Sequence, residues 1–155
     1  MHARTTHSWA LRPATHDDAD AIADLRAVVM RPDLLRLGRF DEVRVRQRFL
    51  DGYAPEYTSV ILHDDRFAGS VTLRPFADGW CLESFYLDPS LQGRGIGSSV
   101  LGALLARTDA EGVPVRLDVL QGSAARRLYE RHGFVPERED PVDVFMVRRP
   151  PVPVV

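Results

Sequence analysis

The clearest chemical signal in this chain is a short run of glycines. Residues 92–97 read Q-G-R-G-I-G, with glycine at every second position. Glycine lets a ligand approach the backbone closely, and the free N–H groups of a following helix lie at the positive end of its dipole. The run therefore predicts an anion site, best suited to a diphosphate. Taken alone it is a weak signal, because it has neither the Gly-Lys-Ser/Thr of a P-loop nor the spacing G-x-G-x-x-G.

The segments on either side of the glycines predict a strand and a helix. Residues 80–87 are apolar and aromatic, which is typical of a strand in a sheet covered on both faces. Asp88 and Pro89 end it, because proline has no N–H to donate to a sheet ladder. From Ser98 onward the apolar residues recur with a helical period. The sequence therefore predicts a strand, a glycine turn and a helix in succession.

Two motifs give this unit a family resemblance. Residues 87–97, L-D-P-S-L-Q-G-R-G-I-G, resemble the acyl-CoA signature of the GNAT superfamily of N-acetyltransferases, whose core reads roughly V-x-P-x-x-Q/R-x-x-G-x-G/A. Residues 124–134, A-A-R-R-L-Y-E-R-H-G-F, are similar to the helix that closes the same cofactor site and carries the family's tyrosine. The motifs stand in the family's order and spacing, and the predicted elements fit from about residue 9 to 147.

The resemblance implies a fold and a reaction. The fold is α/β (α+β), with a mixed, mostly antiparallel central sheet of six to seven strands, about four flanking helices and a splayed cofactor cleft at the central strands. It occupies one domain, 9–148, with tails at 1–8 and 149–155. The reaction moves an acetyl group from acetyl-CoA to a primary amine by direct attack in a ternary complex. A non-catalytic acyl-CoA-binding or regulatory module is the alternative.

The resemblance also implies which residues bind acetyl-CoA. Phe85, Tyr86 and Leu87 offer the strand edge to the pantetheine amides. Many family members have an asparagine near the start of the second-motif helix, where this chain has Gly122 and Ser123. The Ser123 hydroxyl is the candidate to replace that asparagine. The diphosphate is expected on the turn, whose residues are Gln92, Gly93, Arg94, Gly95, Ile96, Gly97 and Ser98.

Two side chains are candidates for proton transfer. Glu83 lies on the predicted central strand, where a carboxylate has little reason to be unless it faces a cavity or a partner. It is a candidate base, directly or through water, and a salt bridge to an arginine such as Arg74 is the alternative. Tyr129 matches the family tyrosine, and a phenol with a pKa of about 10 can protonate a departing thiolate. The alternative is a core tyrosine whose hydroxyl is bonded to a backbone group.

Composition and net charge narrow the remaining classes of function and location. A formal net charge of −2 gives no general attraction to nucleic acid or to a membrane surface, and no apolar run is long enough to cross a bilayer. The start of the chain lacks a signal-peptide core, so we expect a cytoplasmic protein. All 20 Lys+Arg residues are arginine, which suggests a GC-rich bacterial genome.

Metal-dependent chemistry, a disulfide and a covalent cysteine intermediate are all disfavoured. His63 and His132 are isolated and lack metal-ligand spacing, so no metal is predicted. The single Cys81 excludes an internal disulfide, and no nearby histidine would activate it for an acetyl-cysteine intermediate. The acceptor stays open between a small-molecule amine and a peptide N-terminus, and a homodimer also stays open.

The remaining segments complete the predicted sheet and its helices. Pro32 is expected to end or kink a first helix. A second helix over 41–50 is expected to bury Val43 and Phe49, and its arginines to form a solvated face. In the family the joint between these helices overhangs the acceptor site, here residues 30–40. Further strands are predicted at 9–13, 57–63, 66–74, 115–119, 134–137 and 142–148.

Overall fold

The computed structural model describes residues 8–152. Seven strands form one open sheet in the order β1-β2-β3-β4-β5-β7-β6. All neighbouring strands are antiparallel except β4 and β5, which are parallel. The predicted mostly antiparallel sheet is therefore confirmed. The strands are β1 (Trp9–Pro13), β2 (Thr58–His63), β3 (Arg66–Phe76), β4 (Gly79–Leu87), β5 (Val115–Leu120), β6 (Val135–Glu139) and β7 (Asp143–Arg148).

Four α-helices flank this sheet in the described part of the chain, as predicted. They are α1 (Ala19–Arg36), α2 (Glu42–Gly52), α3 (Ile96–Glu111) and α4 (Ala125–Arg131). None of the helices in residues 8–152 is long and apolar enough to span a membrane. The division into one domain and two tails stays a prediction, and most of the tails, 1–7 and 153–155, lies outside the described residues.

Helices cover both faces of the sheet, as the alternation along β5 shows. Leu117 and Val119 pack in the main core with the apolar stripe of α3. Leu120 packs instead against a smaller cluster formed by α1 and α2. Because side chains alternate along a strand, α3 lies on one face and the α1–α2 pair on the other. The stripe of α3 is made of Ile96, Val100, Leu101, Leu104 and Leu105.

Two local predictions on the first helices were wrong or incomplete. Val43 is 77% exposed, and Val45 is buried in its place together with Phe49. Positions two apart on a helix point in nearly opposite directions, so the inward face that contains 45 and 49 excludes 43. Pro32 does not end α1, because the helix continues to Arg36. Leu34, two residues after the proline, is still buried in the cluster with Val45.

Candidate active site

The sheet opens between its two parallel strands. The pairing of β4 with β5 is limited to Trp80 opposite Val115 and Cys81 opposite Arg116. Beyond Cys81 the two strands diverge, so the edge of β4 from Glu83 onward has no strand beside it. This opening is the splayed cleft that the resemblance implies.

A bulge in β4 lies at the opening. Ser84 and Phe85 together oppose a single β3 residue, Val71, and Ser84 has a φ of 48°. The Ser70 hydroxyl donates a hydrogen bond to the Ser84 carbonyl oxygen at 2.8 Å and fixes the bulge. Gly69 is required beside it, because a Cβ there would lie 2.1 Å from the Tyr86 carbonyl oxygen. A bulge re-aims the strand and leaves an unpaired residue, here next to the cleft.

The glycine turn leads directly into α3. Gly93 and Gly95 have φ values of 78° and 82°, which favour glycine. No side chain caps the start of α3, so its first N–H groups are free of side-chain partners. The Gln92 side-chain amide donates to the Leu87 carbonyl oxygen at 3.0 Å and ties the turn to the end of β4. This geometry fits a diphosphate.

A cavity of about 1230 Å³ lies between the α1–α2 pair and the opening of the sheet. It brings together several residues that the sequence singled out, namely Glu83, Phe85, Tyr86, Ser123 and Tyr129. Leu87 and the turn residues Gln92, Gly93, Arg94, Gly95, Ile96, Gly97 and Ser98 do not line it. The cavity and the glycine turn are therefore separate parts of the candidate site, linked by the end of β4.

Tyr129 is buried, with 8% of its surface exposed. Its ring packs edge-on against Phe134 and tilted against Phe85. Its hydroxyl has no hydrogen-bond partner in residues 8–152. Every fully buried side-chain oxygen in that range has such a partner, so the Tyr129 hydroxyl is not fully buried and reaches the cavity that Tyr129 lines. Burial raises the pKa of Tyr129, and the nearby Tyr86 and Asp118 raise it further. The backbone partner of a purely structural tyrosine is not found.

Glu83 has the partner that the alternative interpretation named. Arg74 Nε donates to Glu83 Oε1 at 2.7 Å, and Arg74 Nη2 donates to the Gly52 carbonyl oxygen at 2.8 Å. A third of the Glu83 side chain stays exposed, and Oε2 has no hydrogen bond in the described chain. The ion pair therefore holds the carboxylate in the cavity wall without enclosing it.

Three other predicted polar residues, Tyr86, Ser123 and Ser98, have structural partners. The Tyr86 hydroxyl accepts from Arg26 Nη1 at 2.6 Å, and burial raises the pKa of Tyr86. Ser123 Oγ accepts from the Ala125 N–H at 3.2 Å, which leaves the hydroxyl proton free for a ligand. A hydrogen bond of 2.9 Å joins Ser98 Oγ to His132 Nε2. Each contact fixes the position of a candidate binding residue.

Sequence reasoning missed Asp118. This residue lies on β5 and lines the cavity, and its carboxylate takes part in no hydrogen bond or ion pair within residues 8–152. The available signal was a charge at the centre of the strand V-R-L-D-V-L, where aspartate is unfavourable. Asp143 lines the same cavity, and burial and Asp118 raise its pKa.

The comparison of sequences settles the family. The profile described as "Acetyltransferase (GNAT) family" matches residues 22–134, more than half of the chain. The chain belongs to the GNAT acetyltransferase family. No curated protein matches it. Within residues 8–152 of this acetyltransferase no group of three His, Cys, Asp or Glu side chains is arranged to hold a metal ion, and the expected absence of a metal stays a prediction.

Solved structures of N-acetyltransferases are similar in fold. PaiA N-acetyltransferase from Thermoplasma acidophilum in complex with coenzyme A has a TM-score of 0.74 at 19% identity, over 92% of this chain and 99% of that one. The ribosomal-protein-S18-alanine N-acetyltransferase from Escherichia coli has a TM-score of 0.68 at 17% identity, over 94% and 96% of the two chains. At these identities the likeness shows the GNAT fold alone.

Proposed function

We propose that this acetyltransferase moves the acetyl group of acetyl-CoA to a primary amine by direct attack in a ternary complex. The observation that carries the proposal is the Tyr129 hydroxyl, which is buried and unpartnered in the described chain and reaches the cavity beside the opened strands. The coenzyme A complex of the similar PaiA N-acetyltransferase supports the choice of cosubstrate.

The proposed path of acetyl-CoA follows the end of β4. The free amides of 93–98 would hold the diphosphate at the start of α3. The unpaired edge of β4 at Phe85, Tyr86 and Leu87 would hold the pantetheine amides, because no β5 residue pairs with it there. Ser123 would donate its hydroxyl proton to the same arm. This path brings the thioester to the opening of the sheet, beside Tyr129.

The chemistry needs three proton transfers and one substitution. The amine nitrogen attacks the thioester carbonyl carbon, so a C–N bond forms and the C–S bond breaks. Tyr129 donates its proton to the departing sulfur, which leaves as a thiol. Its raised pKa keeps the phenol protonated at neutral pH, as an acid must be. Glu83 takes the proton of the incoming ammonium, directly or through water, and the second proton that the nitrogen loses as the amide forms returns to the Tyr129 oxygen and restores the phenol.

Cys81 is a poor candidate for a covalent route. Burial, with Glu83 and Asp118 nearby, raises the pKa of this thiol to about 11. A thiolate is the nucleophile in acyl transfer, and at neutral pH almost none is present at such a pKa. This favours direct transfer to the amine over an acetyl-cysteine intermediate.

The test is turnover with a panel of amines. Wild-type protein with acetyl-CoA should release free CoA continuously, and mass spectrometry should find one N-acetylated product per CoA. Acetyl-CoA bound without release of CoA for any amine would instead favour the non-catalytic acyl-CoA-binding module. An acetylated Cys81 trapped before addition of the amine would contradict direct attack.

A further inference from the structure

We infer that the acceptor enters as an alkylammonium ion and that the Asp118 carboxylate binds its charged nitrogen. The inference rests on the proposed function, because it names the acceptor class and a specificity residue of the same cavity. It concerns the wall formed by β5 and β7, a different wall from the β4 edge that carries Glu83.

The position of Asp118 follows from the alternation along β5. Its neighbours Leu117 and Val119 are buried in the main core with α3. Asp118 therefore lies on the opposite face, which α1 and α2 cover through Leu120. The cavity separates the helix pair from the sheet at this point, and Asp118 lines it. The carboxylate thus faces the acceptor side of the sheet opening.

The Asp118 carboxylate forms no hydrogen bond or ion pair with another residue in 8–152, although the chain has 20 arginines. The arginine two residues before it on the same face, Arg116, is bound to Asp78 and Glu137 at 3.3 Å each. In the cavity, Arg74 is bound to Glu83 and Arg26 to the Tyr86 hydroxyl. Three further arginines line the cavity, Arg39, Arg44 and Arg48, and within residues 8–152 none of them forms an ion pair with Asp118, so its carboxylate is left to attract a cation.

A second carboxylate strengthens this wall. Leu120 lies opposite Asp143 in the pairing of β5 with β7, so Asp143 is a diagonal neighbour of Asp118 on the same face, with Cα atoms about 7–8 Å apart. The charged groups that act on Asp143 are Asp118, Asp140, Arg48 and Arg39, and neither arginine is close enough to form an ion pair. The wall therefore repels anions and favours a cationic ligand.

The charge also lies close to the proposed chemistry. Tyr129, which is more than nine-tenths buried, directs an unpartnered hydroxyl into the same cavity. Asp118 lines that cavity too, and its charge is among the causes that raise the pKa of the Tyr129 hydroxyl. An ammonium bound to Asp118 would hold its nitrogen in the same cavity that the Tyr129 hydroxyl reaches.

This arrangement favours acceptor amines whose nitrogen is strongly basic. An alkylamine has a pKa near that of lysine, about 10, and is charged at neutral pH. A weakly basic amine of the same shape is neutral and gains little from a carboxylate. A charge-assisted hydrogen bond contributes enough to separate two such ligands by roughly tenfold or more. Alkylamines are therefore the expected acceptors, and weakly basic amines are expected to bind poorly.

The experiment measures binding to the protein–CoA complex by calorimetry at pH 8.5, where an alkylamine of pKa about 10 is still charged. The probes are 2-phenylethylamine and its β,β-difluoro analogue, in which fluorine lowers the basicity of the nitrogen with little change of shape. The wild type should bind the more basic amine at least about tenfold more tightly. Asp118→Asn should reduce the ratio to within about threefold, and Asp118→Glu should restore part of it. Asp118→Ser removes the same charge if the asparagine variant does not fold.

The matched control is Asp65→Asn. Asp65 lies in the β2–β3 turn with a φ of 63°, which asparagine tolerates, and it is far from the cavity lining. This variant loses the same charge and should keep the wild-type ratio. An unchanged ratio in Asp118→Asn, or no preference in the wild type, would overturn the inference. Binding is measured without turnover, so the two ideas can fail separately. Amine binding without acetyl transfer would contradict only the proposed function. Acetyl transfer without a preference for the more basic amine would contradict only the inference.

Discussion

Arg74 and Glu83 are diagonal neighbours on β3 and β4, and their side chains form an ion pair of 2.7 Å at the edge of the cavity. Both side chains are about one third exposed. An ion pair of this exposure contributes between about 0 and 1 kcal/mol to stability. Its larger effect is to fix the Glu83 carboxylate in one orientation in the cavity wall, with Oε2 free of protein hydrogen bonds in the described chain.

We predict that Glu83→Gln lowers the rate of acetyl transfer mainly at low pH. There the amine is protonated and needs a base, whereas at high pH it arrives neutral. The substitution removes the charge with little change of shape, so acetyl-CoA binding should be retained. The measurement is kcat/KM against pH for wild type and variant. A loss of equal size at every pH would assign Glu83 a structural role.

Arg74→Gln separates the two roles of the pair. It breaks the same ion pair but leaves the Glu83 carboxylate in place. The ion pair alone should change the free energy of unfolding by less than about 1 kcal/mol in each variant, and Arg74→Gln should cost about 1 kcal/mol more, because it also removes the hydrogen bond to the Gly52 carbonyl oxygen. If Glu83 is the base, the arginine variant should keep the wild-type shape of the pH profile. Equal loss of activity in both variants, and no further loss in the double variant, would mean that only the pair matters.

Tyr129→Phe should lower the single-turnover rate while keeping the fold. General acid catalysis is typically worth about 10²- to 10⁴-fold, and a loss in or above the lower part of that range is expected. The hydroxyl has no partner in residues 8–152, and the ring still packs on Phe85 and Phe134, so the melting temperature should change little. Single-turnover kinetics are needed because slow product release would mask the step. A single-turnover rate equal to that of the wild type would show that Tyr129 acts only in packing.

The elements around the site were predictable from local patterns. The helical period after the glycines, the prolines at strand ends and the two family motifs depend on residues near one another in sequence, and the strand, glycine turn and helix follow from them. The error at Val43 has a physical cause. Val45 lies four residues before Phe49 and shares its helix face, whereas Val43 lies six residues before it, so the prediction that Val43 and Phe49 are buried together did not follow the helical period.

The shape of the site was less predictable. The bulge at Ser84 needs a positive φ at a serine and a register shift between distant segments, and neither has a sequence signature. Asp118 becomes a cavity residue only because β4 diverges from β5. The pairing of Glu83 with Arg74 was predictable as an alternative, because both residues lie on strands that a short turn joins.

The packing of α2 gives a matched test of stability. Val45→Ala should destabilise the protein by about 1–3 kcal/mol, because it removes buried methyl groups from the cluster with Ala27 and Leu34. Val43→Ala should change the free energy of unfolding by less than about 0.5 kcal/mol, because Val43 is exposed. Urea denaturation of both variants measures the difference. Equal effects would contradict the orientation of α2.

The glycine turn is tested by two alanine substitutions at opposite ends of α3. Gly95 begins the helix and Gly112 ends it, with φ values of 82° and 72°, and no atom lies within 4 Å of a Cβ at 112. Each substitution should cost about 1–2 kcal/mol of backbone strain. Both variants should therefore melt at a lower temperature than the wild type.

Only Gly95→Ala should also lose binding of CoA, because its methyl group occupies the approach to the amides at the start of α3. CoA stabilises the folded protein by mass action, so its saturating addition raises the melting temperature of any variant that binds it. We expect this rise to be preserved in Gly112→Ala and to require at least about tenfold more CoA in Gly95→Ala. A dose dependence that is the same in both variants would exclude 93–98 as the diphosphate site. The Tyr129 and Glu83 proposals would then lose the position of the thioester on which both depend.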